Sequence, residues 1–105
     1  MTITELVQDR LKHNNQIAVF AARRSGKTYS ARELRMRLSE DALIMDDADI
    51  MLYNAKQGRD SECLYLLDCA LGDGADIVLL GSISSSYNPN RFDDTWTKLT
   101  VTPQL

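Results

Sequence analysis

The sequence predicts an α/β fold, a three-layer sandwich in which helices flank a mainly parallel sheet. Short apolar runs recur at residues 17–22, 42–45 and 77–80. They are too short for helices and show no polar alternation, which is the pattern of strands buried on both faces. Stretches of helical periodicity separate them. Strands that alternate with helices give βα units, with right-handed crossovers placing helices on both faces of the sheet. At 105 residues the chain reads as one domain, residues 1–105, with a thin margin of stability.

The elements follow in order. Thr2 and Glu5 fit a capping box, and Ile3, Leu6, Val7 and Leu11 continue at helical spacing. That helix stops near Asn14 and Asn15, and residues 17–22 form the first buried strand. A second helix runs from about Gly26 to Leu38. Its apolar stripe is Ala31, Leu34 and Leu38, and Glu33 precedes Arg37 by four residues, the favourable order for an ion pair. Residues 42–45 make a second strand that ends on Asp46 and Asp47. Residues 50–53 read as a helical turn and Gly58 as a loop position. Ser61 and Glu62 open a third helix with Leu64, Leu67 and Leu71 along one side, and Gly72 and Gly74 end it. Residues 77–80 form a third strand that leaves through Gly81 and a serine run. Asn88, Pro89 and Asn90 mark a turn, and residues 96–101 alternate as a last strand at a sheet edge.

Composition narrows the function classes. Hydrophobic residues at 44% and charged residues at 26% describe a globular chain, not a disordered one. A net charge of −3 argues against nonspecific coating of nucleic acid. The basic run Arg23, Arg24, Lys27, Arg32, Arg35 and Arg37, opposed only by Glu33, reads either as a local patch or as a solvated helix face. Cys63 and Cys69 lie six residues apart within one apolar stretch, which suits neither a zinc site nor a disulfide, so buried free thiols are expected. No run is long enough to span a membrane and no signal-peptide pattern opens the chain, so a cytoplasmic location without a membrane partner is expected.

In parallel α/β sheets ligands bind beyond the carboxyl ends of the strands. Three such ends should converge here: the 22–28 loop, Asp46-Asp47, and residues 82–86. The run Ala21-Ala22-Arg23-Arg24-Ser25-Gly26-Lys27-Thr28 matches a relaxed Walker A pattern with Ala at the first position. A loop that wraps a β-phosphate presents backbone N–H groups, and glycine lets the chain come close. The following helix turns its positive end to the anion. Ala22, Ser25, Gly26, Lys27 and Thr28 are therefore the expected phosphate-binding residues. Lys27 supplies charge to the β- and γ-phosphates, and the Thr28 hydroxyl is a ligand for Mg²⁺. Leu43-Ile44-Met45-Asp46-Asp47 has the form of a Walker B strand, with Asp46 for the metal and Asp47 as the base that orients water. The same two aspartates also suit a helix cap before Ala48.

On these residues the chain resembles a stripped-down P-loop ATPase of the group with an extra strand between the Walker strands, which includes AAA-type ATPases, RecA-like motors, helicases and viral DNA-packaging motors. The stretch Asp46-Asp47-Ala48-Asp49-Ile50 is similar to the Walker B region of bacterial replication initiators and helicase loaders, where a helix and a buried sensor strand with a polar end follow. By this resemblance residues 77–82 are the sensor strand, with Ser82 or Ser84 near the γ-phosphate. Arg23 and Arg24 resemble the loop of packaging motors, where a loop arginine is thought to assist hydrolysis. The resemblance covers residues 16–86 and implies a P-loop NTPase fold in shortened form, because one strand–helix unit before the Walker B strand is absent. Asp47 stands where most of the group have glutamate, and no lid domain is expected.

The resemblance implies an ATPase: ATP bound with Mg²⁺, with Lys27, Asp47, Arg23, Arg24 and Ser82 catalytic and Thr28 and Asp46 on the metal. Hydrolysis would be slow and raised by self-assembly, as a homo-oligomer or larger assembly, or by a partner. Arg91 is read either as a residue acting across a subunit interface or as a plain surface arginine. The alternative is a nucleotide-binding regulatory or assembly module with little or no turnover. The placement of the acidic strand and the lack of an arginine-rich lid argue against a small kinase. A link to nucleic acid rests on analogy with replication and packaging proteins. His13 reads as a helix-end residue, and Tyr53, Tyr65 and Trp96 as core or edge. The serines at 82, 84, 85 and 86 have no histidine partner for nucleophilic work.

Overall fold

Apolar runs without alternation need a partner layer on each side, and the strands obtain one. The computed structural model describes residues 2–22, 26–48, 58, 61–82 and 95–101, apart from the side chains of Ser61 and Cys63. Among these residues the elements are α1 (Ile3–Leu11), β1 (Gln16–Ala21), α2 (Lys27–Arg37), β2 (Leu43–Met45), α3 (Ser61–Asp73), β3 (Ile77–Ser82) and β4 (Thr97–Val101). The four strands form one sheet of order β2-β3-β1-β4 in which every pairing is parallel.

The register explains the two-sided burial. Ile17 lies opposite Val78 and Val19 opposite Leu80, so these residues share one face. With Ala21 they pack against Ile3 and Val7 of α1 and Ala31 and Leu34 of α2. On the other face Ile77 and Leu79 meet Met45 and Ala70, with Leu67 of α3 and Trp96 packed beside them. The sheet is thus covered by α1 and α2 on one face and by α3 on the other. Among the described strands β4 pairs only with β1 and forms an edge, as its alternating sequence predicts. β3 lies between β1 and β2, so the β1–α2–β2 unit spans a strand position that a later segment fills.

Local chemistry sets the ends of the elements. Thr2 caps α1 by accepting the Glu5 N–H at 3.1 Å, and its hydroxyl donates to the Glu5 carboxylate at 3.2 Å. Buried Thr4 donates to Glu33 at 3.1 Å, and Arg37 donates to Gln8 at 3.2 Å and to Glu33 at 3.0 Å. These contacts tie α1 to α2. Asn14 and Asn15, read in the sequence only as a helix stop, also join the amino ends of three strands. The Asn14 amide donates to the Thr95 carbonyl and the Thr97 hydroxyl, and the Asn15 amide donates to the Gly74 and Ala75 carbonyls. β2 is an edge of only three residues, and Arg35 donates to its Ile44 carbonyl at 3.4 Å. A charged side chain at that position blunts an open strand edge.

α3 ends in a Schellman motif. The Ala75 N–H donates to the Ala70 carbonyl and the Gly74 N–H to the Leu71 carbonyl, with Gly74 at φ 68°. A methyl at Gly74 would meet no atom within 4 Å, so only the backbone conformation demands glycine. Gly74→Ala should cost about 1 kcal/mol, read as a lower urea midpoint at unchanged slope.

Three expectations need correction. The buried side of α3 runs through Leu67 and Ala70, whereas Leu64 and Leu71 are substantially exposed. Tyr65 is 68% exposed and so is not a core residue. It points away because Leu67 and Ala70, three apart, define the inner face. Cys69 is a free thiol as expected, but it is exposed, being turned about a quarter of the helix away from Ala70. The turns expected at 50–53 and 88–90, together with Tyr53, lie outside the described residues. No described helix is long and apolar enough to cross a membrane.

Candidate functional site

The carboxyl ends of β1, β2 and β3 meet at one rim of the sheet. Ala21, the last residue of β1, pairs with Ser82 at the end of β3, and Met45 at the end of β2 pairs with Leu79. The Ala22 N–H extends the ladder by donating to the Val101 carbonyl at 3.1 Å. That donor is therefore committed to the sheet. Gly26 precedes α2 in the left-handed region at φ 86°, and its carbonyl accepts the first helical bond from the Ser30 N–H at 2.8 Å. A residue with a side chain would be strained at this φ, although there is space for one.

The start of α2 is electrostatically unusual. Among the described residues no side chain caps it, and no acidic residue lies in its first turn. Its first residue is Lys27, a cation on the positive end of the helix dipole. Both features are unfavourable for the helix alone and favourable for an anion bound at that end.

Lys27 turns back over the rim. Its Nζ donates to Asp47 Oδ1 at 3.0 Å and to Ser82 Oγ at 2.9 Å, and Asp46 Oδ1 lies 3.8 Å away. The Lys27 side chain is only 12% exposed and that of Asp46 18%, whereas Asp47 is 59% exposed. Asp47 has φ 54°, the one non-glycine residue with positive φ among those described. Its N–H donates to Asp46 Oδ1 at 2.9 Å. This tight turn brings both carboxylates to the lysine.

Lys27, Asp46, Asp47 and Ser82, which are distant in sequence, therefore form one cluster at the head of α2, next to Gly26. Thr28 is exposed on the first turn of α2 and is not part of the cluster. Arg23, Arg24, Ser25, Ser84 and Arg91 lie outside the described residues. Sequence reasoning picked out every member of the cluster but missed its internal pairing and the left-handed turn at Asp47. The available signal was the residue type, since Asp tolerates positive φ better than most residues.

Among the described residues no group of three or more His, Cys, Asp or Glu side chains could hold a metal ion. Comparisons with models of protein families, with curated proteins and with solved structures returned no match.

Proposed function

We propose that this chain binds a nucleoside triphosphate, ATP by the resemblance of its loop, together with Mg²⁺, as a shortened P-loop NTPase that hydrolyses it slowly. The observation that carries the reading is Lys27: a cation at the positive end of the helix that follows a buried parallel strand, facing two carboxylates at the end of another. The strand order supports it. One strand lies between the loop strand and the acidic strand, which is the arrangement of the ATPase group that the loop resembles.

In this reading the N–H groups at the head of α2 and the Lys27 ammonium hold the β- and γ-phosphates. Asp46 and Thr28 would hold Mg²⁺, which supplies charge neutralisation on the phosphate oxygens. Asp47 would accept a proton from the attacking water, and Ser82 would contact the γ-phosphate. Asp47 is short and Lys27 holds it at 3.0 Å. That favours slow turnover, and it also keeps open the second reading, a nucleotide-binding assembly module with little hydrolysis. Arg23, Arg24 and Arg91 are the proposed sources of further charge, the first two within the chain and the third across an interface. A homo-oligomer or a partner would supply the latter.

Millimolar MgATP should raise the melting temperature by several degrees, since ligand at a hundred times its dissociation constant stabilises by about 2.7 kcal/mol. Differential scanning fluorimetry with MgATP, MgGTP and Mg²⁺ alone reads it directly. An unchanged melting temperature with every nucleotide sinks the proposal. Phosphate release on the same samples separates the two readings: rates that rise with protein concentration support the ATPase, and none at any concentration supports the module.

A further inference from the structure

We infer that the chain associates with itself head to tail, the outer side of α2 in one copy seating in an acidic groove between α3 and the start of β2 in the next. Neither surface belongs to the rim cluster, so the inference does not rest on the nucleotide reading. It uses neither Arg91 nor a bound ligand.

The first surface is an exposed stripe. α2 buries Ala31 and Leu34. With about 3.6 residues per turn, Tyr29, Arg32 and Met36 fall on the opposite side of the helix. Tyr29 is 67% and Met36 85% exposed, and Arg32 and Arg35 are exposed beside them. Among the described residues Arg32 makes no ion pair, and Arg35 bonds the Ile44 carbonyl and no carboxylate. Glu33, the one acid of α2, is engaged with Thr4 and Arg37. The outer side of the helix thus presents cations and apolar bodies together. Tyr, Met and Arg are the residue types enriched at protein interfaces.

The second surface is a groove of about 690 Å³ at the amino end of β2. Leu43 of β2 and Leu66 of α3 give it an apolar lining, and Glu40, Asp41, Asp73 and Asp76 supply carboxylates. No Lys or Arg is among its described lining residues, and none of the four carboxylates is in an ion pair with a described residue. β2 is an edge among the described strands, and Leu66 is 43% exposed.

Charge selects the occupant. A segment that fits must bring cations along an apolar ridge, which is what the stripe offers. Leu34 fixes α2 to the sheet, so the stripe cannot turn into the groove of its own copy. A second copy can bring the two together: Tyr29 and Met36 cover Leu43 and Leu66, and Arg32 and Arg35 face the carboxylates. The stripe and the groove are different patches, so the contact is heterologous and repeats from copy to copy. Its charge pairs are screened by salt, so the association weakens as ionic strength rises.

Sedimentation velocity with chelator and no nucleotide tests the contact. At low salt the average mass should rise from the monomer value with protein concentration, and it should fall back in high salt. Arg32→Glu and Asp73→Arg should each weaken the association about tenfold or more, because each sets like charges against one another. Glu40→Arg should match Asp73→Arg. All three positions are exposed, and an arginine at the carboxyl end of α3 suits the helix dipole, so thermal melts should show folded variants. A mixture of Arg32→Glu and Asp73→Arg should form pairs and nothing larger. The intact stripe of Asp73→Arg seats in the intact groove of Arg32→Glu, which leaves a damaged surface at each end. A parent that stays monomeric at every concentration overturns the inference. So does assembly that survives both charge reversals, or a mixture no more associated than either variant alone.

Discussion

Lys27→Ala should remove most of the triphosphate affinity while leaving the chain folded. Lys27 joins the ends of two strands, β2 through Asp46 and Asp47 and β3 through Ser82. Removing one partner of a desolvated charge pair typically costs about 2–5 kcal/mol, which is roughly thirtyfold to several-thousandfold in dissociation constant. Two consequences separate this from simple unfolding. The helix loses an unfavourable cation from its first turn, so α2 itself gains slightly. The Asp46 and Asp47 carboxylates lose their counter-charge, so they should bind free Mg²⁺ more readily than in the parent. Calorimetry of MgATP and of Mg²⁺ alone, with circular dichroism for folding, reads all three. Equal MgATP affinity in the variant and the parent would show that the loop does not bind phosphate.

Leu34→Ala should produce the largest loss of stability among single changes in α2. Leu34 is fully buried in the core cluster that also holds Val7, Val19 and Leu80, and it fastens α2 to the sheet. Truncating such a leucine costs about 2–5 kcal/mol, depending on how far the site collapses. Domains of this size are stable by only about 5–15 kcal/mol, so the variant should melt more than ten degrees lower. The change reaches the site as well. α2 carries Gly26 and Lys27 at its head, so looser packing at Leu34 lets the lysine drift from Asp47 and Ser82. Saturating MgATP should therefore restore part of the lost melting temperature. Urea unfolding gives the size of the loss; a shift below about 1 kcal/mol would mean that α2 is not anchored through this residue.

Much of the fold is legible in the chain alone. Runs such as Ile77-Val78-Leu79-Leu80 have no polar alternation, so only a strand covered on both faces accommodates them. Thr2 with Glu5, and Gly26 before Lys27, mark helix starts by chemistry that operates within a few residues. For the same reason Gly74 marks a helix end, since its left-handed backbone is a local property. The members of the cluster were also readable, because Lys27, Asp46, Asp47 and Ser82 each sit at the end of a predicted strand or the start of a predicted helix.

Other features depend on contacts between distant segments. The inner face of α3 depends on what it meets: Leu64, Leu67 and Leu71 are equivalent as a sequence pattern, and packing against Ile77 and Leu79 selects Leu67 with Ala70. The double duty of Asn14 and Asn15 needs Thr95, Thr97, Gly74 and Ala75 to arrive beside them. The insertion of β3 between β1 and β2 is a choice of neighbour, and periodicity carries no record of neighbours. That choice brings Ser82 beside the end of β1 and lets a single lysine join the ends of β2 and β3. By itself the sequence determined the elements, their two-sided burial and the residue types at the strand ends, because hydrophobic pattern and backbone preference act over a few residues. Only the tertiary structure decided that Lys27 is held by Asp47 and Ser82, because an ion pair across twenty positions and a hydrogen bond across fifty-five form only once the sheet has set its strand order.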